Sequence, residues 1–265
     1  KSLQSQPGIE LSIANALWSA TGLPMAPDFI TRCRNLYQAD ATTLDFTKSK
    51  ATADIINGWV KKKTQDKIPD IVTEQNVADS RAILTNAVYF RGRWQHPFSK
   101  AQTQDAAFHL QTGAEKKVPM MRMASIHGAY RSGNGYEAAA LPYKSSDVTL
   151  YAILPAQGHS PEEVLSTLSV DALRSASAPT DLDLSFPRFT LETGPANLRA
   201  SLTRMGMGPA FEERREFIPM GSPLVYIGAV LHRTRLEVDE EGTIAAAATA
   251  ILMAPSGAPP QNLPK

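Results

Sequence analysis

Glu240–Ala250 reads EEGTIAAAATA, and the rest of the chain is best read outward from it. An alanine run ordinarily predicts a helix, because Ala has the highest helix propensity. Here the run follows a long strand pattern and Gly242, and it leads through Ile251–Ala254 into Pro255-Ser256-Gly257-Ala258-Pro259-Pro260. That tail carries no side chain able to anchor it to a core, so an exposed, mobile segment is expected there. Small side chains clash with little, so such a backbone can be housed in two places. The stretch couples a strand to a small-residue hinge and then to an exposed loop.

Upstream, Leu224–Val238 is a strand pattern far longer than the usual ~5–6 residues. Leu224, Tyr226, Val230, His232, Thr234, Leu236 and Val238 fall on one face; Arg233, Arg235 and Glu237 fall on the other. In Arg81–Phe90, Ala82, Leu84, Asn86, Val88 and Phe90 share one face, and Ile83, Thr85, Ala87 and Tyr89 share the other. A strand apolar on both faces predicts a place in the middle of a covered sheet. Val148–Leu154 reads the same way, and Leu182–Phe186 alternates as a half-buried strand. Helices are expected at Ala26–Gln38, at Thr47–Ile68 (Ile55/Trp59 and Ile56/Val60 forming one stripe, ended by Pro69), at Pro161–Ser166 and at Pro195–Met205. Long strands with separate helices predict an α+β fold with a large mixed central sheet and surrounding helices.

Composition narrows the function. The 265 residues are 43% hydrophobic, enough for a real core, and the net charge of +1 argues against nucleic acid or an anionic membrane as partner. The basic run Lys61-Lys62-Lys63 reads as a solvated helix end. One cysteine, Cys33, allows no intrachain disulfide, which excludes the small disulfide-stapled inhibitors. It lies on an apolar helix face and reads as a small buried hydrophobe. No Gly-x-Ser-x-Gly, His-Glu-x-x-His, Cys-x-x-Cys or phosphate-loop motif is present. His96, His109, His127, His159 and His232 have no metal-ligand spacing. The chain is therefore expected to be no enzyme, with no catalytic residue, metal or cofactor. His232, on the apolar face of its strand, reads as a hydrogen-bonded core residue.

Glu240-Glu241-Gly242-Thr243 followed by Ala245, Ala246, Ala247 and Ala248 resembles the hinge of serpins. TNAVYFRGRW (Thr85–Trp94), VPMM (Val118–Met121), LPYKSSDVTLYAILP (Leu141–Pro155), FPRFTL (Phe186–Leu191) and LHRTRLEV (Leu231–Val238) resemble further serpin segments, in family order and spacing. The resemblance implies one serpin domain over residues 1–265, with the hinge and reactive-centre loop at 240–264. It also implies that helices before Leu11–Trp18 and strands after the loop are missing.

The resemblance, and not residue spacing, implies a mechanism and a set of roles. Loop insertion in serpins is a known instance of a strain-releasing switch. A serine protease attacks the loop, the cut frees the hinge, and the hinge inserts as a new middle strand that drags the protease with it. Gly242 and Thr243 would begin insertion. Ile244 departs from the acidic residue common there and is expected to face solvent. Counting from Thr243 places the reactive bond at Ser256–Gly257, with cuts after Met253 or Ala254 as alternatives. A small residue there implies an elastase-like or subtilisin-like protease as partner. Asn86 and His232 resemble the buried polar pair that gates the sheet, and are expected to bond to each other. Trp94 resembles the aromatic where the loop enters, and Arg188 with Glu240 an ion pair beside it. The family further implies a secreted, extracellular monomer that binds neither nucleic acid nor membrane. The alternatives are a non-inhibitory carrier or chaperone-like serpin, and a protein that is only a protease substrate.

Overall fold

A computed structural model describes residues 6–23, 25–127, 130–175, 181–212, 215–221 and 225–255. In chain order its elements are β1 (Ile9–Ala20), α1 (Pro27–Tyr37), β2 (Ala39–Leu44), α2 (Ser49–Lys63), α3 (Glu74–Ala78), β3 (Ala82–Arg93), β4 (Gln104–His109), β5 (Glu115–His127), β6 (Tyr130–Gly133), β7 (Tyr136–Pro142) and β8 (Thr149–Pro155). Then come α4 (Pro161–Thr167), α5 (Val170–Arg174), β9 (Asp181–Pro187), β10 (Phe189–Asn197), α6 (Arg199–Leu202), β11 (Val225–Val238) and β12 (Gly242–Pro255). The chain divides into two compact units: Lys1–Leu11, Phe90–Thr190 and Leu236–Ile244 form one, and Ser12–Tyr89, Leu191–Arg235 and Ala245–Lys265 the other.

The second unit is built on a six-stranded sheet in the order β10-β11-β12-β3-β1-β2. β3 meets the expectation of an inner strand. Its Ile83, Thr85, Ala87 and Tyr89 are 0–4% exposed, while Leu84, Asn86 and Val88 on the other face are half-buried. β1 and β2 run parallel, with Asn15 opposite Ala39 and Ala20 opposite Leu44. In α2 only half of the expected stripe is buried. Ile56 and Val60 are fully covered, but Ile55 is 50% exposed. The helix also stops well before Pro69. Gln65 and Asp66 take positive φ, and the Thr64 hydroxyl donates to the Val60 carbonyl and accepts the Ile68 N–H, closing the turn. The expected helix at Pro195–Met205 is mostly absent at its start. Pro195–Asn197 belong to β10, whose neighbour in the sheet is β11, and the Leu198 N–H donates to the Val230 carbonyl. Tertiary pairing overrides the local start signal of the proline.

The first unit holds two three-stranded sheets, β4-β5-β9 and β6-β7-β8. Its core gathers Trp94, Phe98, Met121, Leu141, Tyr143 and Val238. Leu182, Leu184 and Phe186 of β9 are half-buried and alternate with exposed Asp183 and Ser185, as the pattern predicts. β8 differs from expectation. Among the described residues it is an edge strand of its sheet, and Leu154 is 67% exposed. Apolar residues on both faces report what covers the faces, not what pairs along the edges.

Candidate functional site: the hinge and its strand

The expected hinge begins with a tight turn between β11 and β12. Asp239 Oδ1 accepts the N–H groups of Glu241 and Gly242, and the Asp239 N–H donates to the Gly242 carbonyl. A carboxylate that satisfies backbone donors two and three residues on is the usual chemistry of such turns.

The turn is gripped from three sides within the first unit. The Trp94 N–H donates to the Glu241 carbonyl and its indole Nε1–H to the Asp239 carbonyl, both at 2.9 Å. The Trp94 ring, 2% exposed, stacks on Tyr143 at 4.9 Å and 11°. The Phe98 N–H donates to the Glu240 carbonyl. Glu240 is buried, and its Oε1 accepts from the Thr103 hydroxyl at 2.7 Å and from Arg188 Nη1 at 3.3 Å. Burial pushes the Glu240 carboxyl up. The Thr103 hydroxyl, a backbone N–H, and the Arg188 and Lys100 charges outweigh that and hold it below the ordinary carboxylate range. Glu241 is exposed and pairs with Lys100 Nζ at 2.7 Å, which lowers its carboxyl as well.

Gly242 is required by close approach. A Cβ there would strike the Gly92 carbonyl and lie 3.0 Å from the Arg93 Cα. Gly92 is in turn pressed by the Tyr143 ring, 2.5 Å from where its own Cβ would be. Thr243 is 3% exposed, and its hydroxyl is buried without a hydrogen-bond partner. Burial pushes the Tyr143 phenol up.

From Ala245 the strand continues in the second unit. β12 is 14 residues long and occupies the position between β11 and β3. Ala246, Ala248 and Ala250 are 3, 0 and 0% exposed, while Ala245 and Ala247 are half-buried. Residues 242–255 are thus an inner strand that carries the hinge up to the proline of the expected loop. Ile244 is half-buried and not solvent-facing, because alternate residues from it along the strand, Ala246, Ala248 and Ala250, are on a covered face. At its end Met253 is 1% exposed and packs with Ala82, Met220 and Val225, and its carbonyl accepts the Arg81 N–H.

The expected bond between His232 and Asn86 is absent. His232 Nδ1 lies 2.7 Å from the Thr249 hydroxyl, and Asn86 Nδ2 donates to Asn15 Oδ1 at 2.9 Å. The reason is topological: β12 lies between the strands that carry the two residues, so the histidine on β11 meets the intervening strand. Ser256 and Gly257, and the Pro259-Pro260 pair, lie outside the described residues.

Several residues of the site escape the sequence patterns. Gly92 is legible in principle, since a glycine inside a strand marks a close backbone approach. Tyr143, Thr103 and Lys100 carry no local signal. They are polar or aromatic residues in strands and connections that only the fold brings to the hinge.

The small-residue segment thus runs as an inner strand of the six-stranded sheet, between β11 and β3. The family model described as serpin (serine protease inhibitor) matches residues 1–263, and the chain belongs to the serpin family. It is 34% identical over 249 residues to a serpin-like protein of Methanosarcina mazei, covering 92% of this chain and 58% of that protein. It is 31% identical over 252 residues to the leukocyte elastase inhibitor of Bos taurus, covering 90% of this chain and 67% of the relative. Among solved structures, cleaved Serpin 42Da superposes with a TM-score of 0.86 at 32% identity, over 92% of this chain and 68% of that one. The chain spans 57–59% of the length of the Methanosarcina serpin-like proteins it matches.

Proposed function

We propose that the protein inhibits serine proteases as a suicide substrate, trapping the enzyme when its loop inserts into the central sheet. The observation that carries this is β12: a 14-residue strand between β11 and β3, with Ala246, Ala248 and Ala250 buried on one face. Bulky or charged residues there would have to be packed or desolvated during insertion, whereas alanines slide in at little cost. A chain able to hold both an exposed bait and this strand has a driving force built into its backbone. Each ladder hydrogen bond contributes about 0.5–1.5 kcal/mol net, so the whole strand contributes on the order of 10 kcal/mol.

In this proposal no residue is catalytic, and no metal or cofactor takes part. Glu240, Glu241, Gly242 and Thr243 form the hinge. Trp94, with Arg188 against Glu240, grips its start; Asn86 and His232 gate the strands that must part. The reactive bond is Ser256–Gly257, and the partner is a protease with a small specificity pocket, elastase-like or subtilisin-like. The protein acts as a secreted monomer, which its recovery from culture medium and its elution volume test.

The deciding experiment incubates the full-length protein with a panel of serine proteases and resolves the products under denaturing conditions. A covalent complex stable in SDS is expected with a small-pocket enzyme, with release of a peptide beginning at Gly257. Cleavage without complex by every enzyme would leave a substrate or a non-inhibitory serpin. Stable inhibition of trypsin through Ile244–Leu263, which contains no Lys or Arg, would refute the specificity assignment.

A further inference from the structure

Arg233 on β11 projects to the opposite side of its strand from His232, and its guanidinium is shared between two other segments. Nη1 donates to Asp70 Oδ1 at 2.6 Å and to the Asp70 carbonyl at 3.4 Å. Nη2 donates to Glu192 Oε1 at 2.8 Å, and the other oxygen of Glu192 accepts from Arg235 at 3.0 Å. The Arg233 side chain is 16% exposed, and its Nε is buried without a partner. A guanidinium desolvated this far is held by its two carboxylates, and loss of either leaves charge uncompensated.

The two carboxylates stand in different relations to β12. Glu192 is on β10, which flanks β11 on the side away from β12. Asp70 belongs to the connection that leaves α2 and runs through α3 to β3, the strand on the far side of β12. That connection is stiff. Asn57 Oδ1 accepts the N–H groups of Ile71 and Val72, its Nδ2 donates to the Val72 carbonyl, and Ile68 and Ile71 on either side of Asp70 are 1% exposed. Arg233 therefore ties β11 to a segment anchored beyond the inserted strand. Removing β12 and closing the sheet would move β11 relative to β3 by one strand spacing, ~4.8 Å. A contact of 2.6 Å cannot survive such a shift unchanged.

We propose that Arg233 and Asp70 form a latch across the inserted strand, closing once β12 is in place and tying β11 to the α2–α3 connection. The inference rests on the proposed insertion and adds the pair that secures its product. Glu192 keeps the guanidinium poised in both forms; Asp70 is the partner that depends on β12. A contact made in one form only is what shifts the balance between two forms. Arg233 acts here as a positioning residue and touches no protease.

The test uses the full-length protein in two forms, intact and nicked in its loop by limited proteolysis, so that it needs no inhibited enzyme. Asp70→Asn, Arg233→Met, Arg233→Lys and the Asp70→Asn/Arg233→Met pair are compared by thermal unfolding. Asp70 is half-exposed, so its variant perturbs folding least. Each of Asp70→Asn and Arg233→Met is expected to lower the midpoint of the nicked form by about 2–8 °C and that of the intact form by less than about 2 °C. The pair is expected to lose no more than the worse single variant, and Arg233→Lys to retain part of the stability. Equal shifts in both forms, or an additive pair, would overturn the latch while leaving insertion standing. A nicked wild-type protein no more stable than the intact one would overturn insertion, and the latch with it.

Discussion

In the proposed mechanism, Thr243→Arg should convert the protein from an inhibitor into a substrate. Thr243 is 3% exposed, close to the Tyr143 phenol, and its hydroxyl already lacks a hydrogen-bond partner. An unpaired guanidinium at this point costs several kcal/mol in desolvation, and about 3–4 kcal/mol is a moderate figure after relaxation. The complete strand contributes on the order of 10 kcal/mol, so the inserted form stays favourable at equilibrium. The rate changes instead, because Thr243 enters first, before the rest of β12 has formed any ladder to offset the charge. At about 1.4 kcal/mol per factor of ten, insertion slows roughly 100-fold or more. Insertion competes with hydrolysis of the acyl-enzyme, so most encounters should then end in cleaved protein and free protease. The assay is the ratio of SDS-stable complex to cleaved product at equal protease, with Thr243→Val as the control. Valine removes the unsatisfied hydroxyl and should keep or improve trapping. If Thr243→Arg still yields mainly complex, the start of β12 is not where insertion begins and the reasoning fails.

Gly242→Ala should also impair trapping, since its Cβ would meet the Gly92 carbonyl; an unchanged stoichiometry of inhibition would show that β3 gives way there. Thr249→Val removes the partner of His232 and should lower the unfolding midpoint of the loop-nicked form by about 2–6 °C, with little effect on the intact form; equal shifts would argue against that bond as a feature of insertion. Glu240 has a carboxyl pKa lowered in the folded protein, so its contribution is present above the ordinary carboxylate value near ~4.3 and is lost as pH falls through the lower folded value. Acid titration of the nicked form should therefore show a fall in stability below about pH 4.3 that Glu240→Gln diminishes, and an unaltered profile would remove Glu240 from that balance.

Much of this protein is legible in its residues because the relevant physics is local. The two-faced apolar pattern of Arg81–Phe90 marks an inner strand by itself, and β3 is one. The length of Leu224–Val238 marks a large sheet, and the hinge is visible as a run of small residues after Gly242. Local signals fail where pairing with a distant segment competes with them. Pro195 reads as a helix start, yet residues 195–197 extend into β10 beside β11. Thr103 and Tyr143 sit at the hinge only because their strands and connections fold back onto it.

The sequence by itself marks Glu240–Ala250 as a run of small residues, of a kind that fits an exposed loop and a sheet interior alike. Which housing the segment takes is decided by tertiary structure. With the segment lying between β11 and β3, His232 meets Thr249 and not Asn86, and Arg233 reaches Asp70. The physical reason is that a strand's hydrogen bonds are made entirely with its neighbours. No pattern within the segment can state which strands those neighbours are.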